Sequence, residues 1–240
     1  MRYELMVTGF TISAQYSRET VETLFTPLLR RLAGRRRDRR LIVFLAGPPA
    51  AGKSTLAAFL ERLAGDMPEL PRVQALGMDG FHYPQASIES RAVLRNGQQI
   101  PMQRLKGAPE SFDVQALADR LERLRREDAP WPLYDRRIHD VVPDALQANA
   151  PILLVEGNYL LLDAPVWREL PHDYSVFLTA PEELLRQRLI ARKIRGGLTQ
   201  EQAEAFYAEC DGPNVSLCLR HSRVADETWR LDRDEKLTRL

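Results

Sequence analysis

Residues 41 to 55 read LIVFLAGPPAAGKST, and no other stretch limits the fold of this chain so tightly. An apolar run leads into Gly47-Pro48-Pro49-Ala50-Ala51-Gly52-Lys53-Ser54, a match to G-x-x-x-x-G-K-[ST]. A helical pattern follows, with Leu56, Phe59, Leu60 and Leu63 on one side. A strand entering and a helix leaving give this motif its physical meaning. The glycines let backbone N–H groups turn toward a phosphate chain, helped by the helix N-terminus. The candidate nucleotide cradle is therefore Gly47, Pro48, Ala50, Ala51, Gly52, Lys53, Ser54 and Thr55. Lys53 would reach the β- and γ-phosphates of ATP, and Ser54 would ligate Mg2+.

Around this stretch, apolar runs at 41–46, 72–78, 151–155 and 174–179 alternate with helical segments at 53–65, 113–126, 181–195 and 199–209. Such runs read as buried parallel strands in a layered α/β fold. A helical pattern in CDGPNVSLCLRHSRVAD leads to a last strand near Val224. Residues 3 to 15 alternate around Thr8-Gly9, which predicts a β-hairpin. After it, Ser17 caps an amphipathic helix with Val21, Leu24, Phe25, Leu28, Leu29 and Leu32 on one face, closed by Gly34. The run RRRDRR at 35–40 reads as a solvated linker, with a phosphate-binding patch as the alternative. The expected organisation is an appendage over 1–40 and a nucleotide-binding domain over 41–240. Within that domain an acceptor insert covers about 80–140 and a lid about 186–212. Residues 80–112 look irregular, and long irregular segments in compact domains are usually functional or disordered.

Two acids fall just past predicted strands: Asp79 in VQALGMDGFHY and Glu156 in PILLVEGNYLLL. In an open parallel sheet the strand carboxyl ends face the ligand crevice. Phosphoryl transfer needs an acid that orders the metal and a group that orients or deprotonates the nucleophile. Glu156 suits the first role, together with Ser54, and Asp79 the second. In RQRLIARKIRGG, Arg188, Arg192 and Arg195 share one helix face, and Gly196-Gly197 offers a hinge. This reads as a cationic lid over the transferring group, with a plain solvated face as the alternative.

Composition removes other classes. A net charge of +1 gives no general attraction to nucleic acid or an anionic membrane, and no apolar run approaches the roughly 20 residues of a membrane helix. Cys210 and Cys218 match no metal spacing and fit a reducing cytoplasm. Lys occurs only at 53, 106, 193 and 236, against a large excess of Arg.

GPPAAGKS, MDGFH, LKGAPESFDV, PLYDRRIHD and VEGNYLLL occur here in that order. Over residues 17 to 227 the chain resembles the uridine kinase, pantothenate kinase and phosphoribulokinase group. It is most similar to the bacterial nucleoside- or sugar-kinase-like members, including fructokinase-like and yeast glycerate-kinase-like relatives. The resemblance implies a P-loop kinase with a parallel five-stranded sheet, ATP and Mg2+, and a small-molecule hydroxyl acceptor. It implies Asp79 as the catalytic acid after the second strand and Glu156 as the Walker-B acid. Arg188 and Arg192 fall in the lid helix, and Tyr134 and His139 match residues that uridine kinases place around the nucleoside. The candidate acceptor set is thus Asp79, His82, Lys106, Tyr134, Arg136 and His139.

One departure matters: Gly107-Ala108-Pro109 stands where uridine kinases carry Asp-His-Pro, so their ribose-holding acid is missing. Lys106 beside the gap suits an anionic acceptor, such as a sugar phosphate or hydroxy acid, better than a neutral nucleoside. YDRRIHDVVP, close to the pantothenate kinase pattern, leans the same way. Phe81, Phe112 and Tyr159 read as pocket lining or core, His82 as acceptor contact or loop packing. Asn214 and Arg223 flank the lid and the last strand.

A GTPase would need Asn-Lys-x-Asp, which does not occur, and a transporter-type ATPase its Leu-Ser-Gly-Gly-Gln signature, which RGGLTQEQ only echoes. The favoured reading is a small-molecule kinase; the alternative is a nucleotide-dependent switch or NTPase with a protein partner. An exposed hairpin edge also offers a route to a homodimer.

Overall fold

The computed structural model describes residues 2–7, 9–36, 39–95, 97–234 and 236–240. A hairpin of β1 (Arg2–Val7) and β2 (Phe10–Gln15) opens the chain; its turn residue Thr8 lies outside the described residues. Helical segments α1 (Arg18–Thr20) and α2 (Thr26–Arg35) flank a π-helical turn at Val21–Phe25. Ser17 caps the first of them by accepting a hydrogen bond from the Thr20 N–H. Then follow β3 (Leu41–Ala46), α3 (Lys53–Gly65), β4 (Val73–Gly77), α4 (Gln85–Ser90), β5 (Ala92–Arg95), β6 (Gln98–Pro101), α5 (Val114–Leu124), β7 (Ala129–Asp135) and β8 (Asp140–Ala148). The chain ends with β9 (Ile152–Gly157), β10 (Tyr174–Thr179), α6 (Glu182–Arg195), α7 (Gln200–Phe206), α8 (Gly212–His221), β11 (Glu227–Leu231) and β12 (Leu237–Arg239).

The central sheet has the order β12-β11-β10-β3-β9-β4. Its β11, β10, β3, β9 and β4 run parallel, as the sequence implies, and β12 adds an antiparallel edge that it does not. β3 is buried along its whole length, because both sheet faces are covered. Alternate side chains then serve two cores. Val43 and Leu45 meet α2 and α3 through Leu28, Leu29, Phe59 and Leu60; Ile42 and Phe44 meet α5 through Leu117, Leu121 and Leu124.

Several expectations need correction. Gly34 does not close the first helix, which runs one residue further, to Arg35. In the run at 35–40, Arg37 and Asp38 lie outside the described residues; Arg39 is exposed, as a linker residue would be, but Arg40 is half-buried and bound to the fold. Arg39 pairs with Asp173 at 2.6 Å. Arg40 donates to the carbonyls of Ala150 (2.9 Å), Leu124 (2.6 Å) and Glu127 (2.7 Å) and pairs with Asp128, stapling the end of α5 to the start of β3. The last parallel strand begins at Glu227, and Val224 is 97% exposed. The segment 80–112 carries α4 and the β5–β6 hairpin rather than being wholly irregular.

The lid helix predicted to end at 209 continues, through a π-helical turn at Tyr207–Asp211, into α8. Both π-turns end two residues before a proline, Pro27 or Pro213. A proline inside a helix loses one hydrogen bond and crowds the carbonyl four residues back, and a widened turn absorbs that misfit.

Candidate active site

The carboxyl ends of β3, β4 and β9 lie side by side, with Ala46 opposite Gly157 and Gly77 opposite Glu156. That register brings the phosphate-binding loop, Asp79 and Glu156 to one edge of the sheet. The loop is shaped by close approach: a Cβ on Gly47 would stand 2.0 Å from the Leu178 carbonyl oxygen, and φ there is +149°. Ala50 holds φ +64°, a conformation that costs a non-glycine residue energy and gathers at ligand sites. Gly52 begins α3 without a side-chain cap, so the first N–H groups of the helix are left to an anion.

Lys53 is 6% exposed and donates to the Pro48 carbonyl (2.9 Å) and to Asn158 Oδ1 (2.7 Å). Burial lowers its pKa, and the negative charge of Glu156 opposes that shift. Ser54 Oγ donates to Glu156 Oε1 at 2.7 Å. Burial raises the pKa of Glu156, against the opposing pull of Lys53. Arg188 Nη1 donates to the Ala50 carbonyl at 3.3 Å, which sets α6 over the loop. Arg192, one turn further, lies within the electrostatic reach of Asp211, Arg136 and Asp79.

Asp79 stands in the turn Met78–Phe81, its side chain 40% exposed, with Arg136 Nη2 at 3.8 Å from Oδ2. The β7–β8 hairpin presses on this turn: Trp131 Nε1 donates to the Gly77 carbonyl at 2.9 Å. His82 packs on Phe112 with ring centres 3.8 Å apart and lies 5.3 Å from the Tyr134 ring. Burial lowers its pKa, and its Nδ1 lies 2.9 Å from the Asp79 carbonyl. With Nδ1 assigned as the donor, Nε2 remains an acceptor. Lys106 Nζ reaches Gln85 Oε1 and sits 5.5 Å from the centre of the Tyr134 ring.

Asp79, His82, Lys106, Tyr134 and Arg136 are therefore brought together. His139 is not: it occupies the hairpin turn with φ +54°, its side chain faces solvent, and only its carbonyl approaches Lys106, at 3.4 Å. Phe81, Phe112 and Tyr159 belong to the core beneath, and the Tyr159 hydroxyl donates to the Gly107 carbonyl at 2.6 Å. Arg223 precedes β11 at the opposite end of the sheet, with Nε and Nη2 buried and unpaired among the described residues.

Two residues in the cleft escaped the sequence reading. Asn158, two positions past Glu156, holds Lys53 and also accepts from the Cys218 thiol through its carbonyl, at 3.4 Å. Its place at the end of β9 was a signal that could have found it. Asp211 lies in the π-turn next to Cys210, whose sulfur is 4.0 Å from the Arg104 carbonyl of the insert. A π-turn leaves no such trace.

No protein-family model matches the chain. It is 48% identical to the uncharacterised protein YggC of Escherichia coli K12, over 94% of both chains. It is 33% identical to a pantothenate kinase of Shewanella woodyi over 75% of this chain, but spans only 59% of that kinase's length. Among solved structures, a candidate fructose transport system kinase from Silicibacter sp. TM1040 superposes with a TM-score of 0.77 at 31% identity. The match covers 88% of this chain and 98% of that one. The chain belongs to the P-loop kinases of the pantothenate kinase and uridine kinase group.

Proposed function

We infer that the protein moves the γ-phosphoryl group of ATP to a hydroxyl of a small metabolite. The observation that carries this reading is the pairing of two features across one sheet edge. One is a loop whose lysine is already held by neutral oxygens; the other is a half-exposed carboxylate, Asp79, facing the open cleft. The loop would supply phosphate binding, and Asp79, with its side chain 40% exposed, is open to an acceptor hydroxyl.

In the transfer, the acceptor oxygen forms the new bond to phosphorus as the bond to the β,γ-bridging oxygen breaks and ADP leaves. The hydroxyl proton passes to Asp79. Arg188 and Arg192 are placed to offset charge on the transferring group. Ser54 and Glu156 present adjacent hard oxygens of the kind Mg2+ takes. Bound there, Mg2+ would take its remaining ligands from phosphate oxygens and water. Such an ion would offset phosphate charge.

The test is ADP release from Mg·ATP across sugars, sugar phosphates, hydroxy acids, pantothenate and nucleosides, with Asp79→Asn alongside. One acceptor should stimulate release, and the variant should lose about 10²- to 10⁴-fold in turnover while still binding ATP. Release that no acceptor changes would favour the switch or NTPase instead.

A further inference from the structure

Arg136 is the one candidate acceptor residue whose only partner among the described residues is the proposed base itself. It follows β7 and opens the turn into β8, between two residues that lock each other. Asp135 accepts from the Arg137 N–H at 2.8 Å and pairs with its guanidinium at 2.8 Å. That clamp fixes the turn and spends Asp135 and Arg137 on each other, while Arg136 is left to reach Asp79. The Arg136–Asp79 separation is 3.8 Å, and the two side chains are 41% and 40% exposed. A pair so long and so wet is weakly held and easily exchanged.

Lys106 reaches the same turn from the insert, against the His139 carbonyl and the Tyr134 ring. Lys106 and His82 share the Tyr134 ring, at 5.5 and 5.3 Å from its centre, and Arg136 pairs with Asp79, whose carbonyl lies 2.9 Å from His82 Nδ1. Lys106, hydrogen-bonded to Gln85 and attracted by the nearby Asp140 carboxylate, and Arg136, loosely paired with Asp79, both approach a space bordered by Asp79, His82 and Tyr134. An acceptor entering there with a carboxylate or phosphate meets a guanidinium able to bind it through two N–H groups.

We propose that Arg136 is a specificity-determining residue that exchanges Asp79 for the anionic group of the acceptor, freeing the base only when such an acceptor is bound. This deepens the kinase reading above and rests on it. An anionic acceptor turns Arg136 away from Asp79, and the carboxylate is then open to the acceptor hydroxyl. A neutral acceptor leaves the pair in place, competes with Arg136 for the carboxylate and reacts poorly.

The experiment compares matched acceptors that differ only in the anion: D-glycerate with glycerol, and ribose 5-phosphate with ribose. Each is assayed by ADP release with the parent, Arg136→Gln and Arg136→Lys. The parent should favour the anionic member of the productive pair by at least about a hundredfold in kcat/KM. Arg136→Gln should lower kcat/KM for the anionic member at least about tenfold, mainly through KM, and leave the neutral member unchanged or improved. Arg136→Lys should restore much of the preference. Equal loss on both members, or a parent that uses neutral acceptors as well as anionic ones, overturns the role of Arg136 and leaves the kinase standing. If neither pair is used, the same comparison runs on whichever compound of the full panel is phosphorylated and its uncharged or charged analogue; ADP release that no compound of that panel changes removes the kinase reading and this inference with it.

Discussion

Gly80 is where the smallest substitution should have the largest effect on chemistry. It follows Asp79 directly, under β7. A Cβ there would lie 2.1 Å from the Pro132 carbonyl oxygen, 2.4 Å from its carbon and 2.9 Å from the Leu133 nitrogen. All three atoms are backbone, so no side chain can swing aside. Restoring contact distance requires turn and strand to part by about 1 Å. Crowding of this kind costs about 1–3 kcal/mol in stability, and a shift of about 1 Å at a reacting group costs about 10²-fold in rate. The phosphate loop hangs from β3 and rests on β10 at Leu178, so it stays in place. Gly80→Ala should therefore lower kcat about a hundredfold, leave the Kd for ADP within about twofold, and shift the denaturant midpoint modestly. Steady-state kinetics, calorimetric ADP titration and urea unfolding read the three quantities. A variant with parental kcat, or one whose ADP affinity falls in step with kcat, would refute the claim that β7 positions Asp79.

Two further outcomes concern stability away from the cleft. Arg40→Met keeps the side-chain bulk but strands the carbonyls of Leu124, Glu127 and Ala150. Urea unfolding should show a loss of about 2–4 kcal/mol with kcat unchanged; a loss below about 0.5 kcal/mol would return Arg40 to the role of a linker residue. Burial lowers the pKa of His172, which stacks on Phe44 at 4.5 Å. As pH falls through about 6.5, the unfolded chain takes up this proton first, so stability falls with pH. His172→Gln should flatten unfolding free energy between about pH 7 and 5, and an unchanged slope would count against this histidine.

The phosphate loop, α3 and four of the parallel strands were legible because the helix is periodic, the strands are short apolar runs, and their boundaries carry glycine or charge. Helix 53–65 runs over the predicted residues, and β3 matches its apolar run. The β7–β8 hairpin was not legible. It includes Pro132 and Pro143, and most of β8 is exposed or half-buried, so neither alternation nor a long apolar run marks it. β12 spans only Leu237–Arg239, too short for a period to show. Arg40 misled for another reason: charge patterning predicts solvation, whereas Arg40 donates to three carbonyls, of Leu124, Glu127 and Ala150. At the site, residue types announced Lys53, Ser54, Asp79 and Glu156, but not the pairing of Lys53 with Asn158 or of Asp79 with Arg136. Such pairs depend on which strand ends lie adjacent, and only topology decides that.

The same distinction separates the two halves of the cleft. On the phosphate side, position is set by backbone against backbone: Gly47 against Leu178, and the turn holding Asp79 against Pro132. These contacts have no rotamers, so loop and base are fixed before any ligand arrives. On the acceptor side, position is set by the ends of long side chains, with Lys106 on Gln85 and Arg136 on Asp79 across 3.8 Å of half-exposed cleft. Those contacts exchange at little cost, because each replaces a solvated pair rather than a packed one. A fold arranged in this way can keep phosphoryl transfer constant while the acceptor changes. Substitutions in the 102–112 or 134–140 segments should alter which hydroxyl compound is used, and substitutions at the ends of β3 and β4 should abolish turnover of every acceptor alike. Variants at Lys106 and Gly80, assayed on one panel, would separate the two classes. A Lys106 variant that lost all acceptors in equal proportion would show that the acceptor side is also part of the rigid frame.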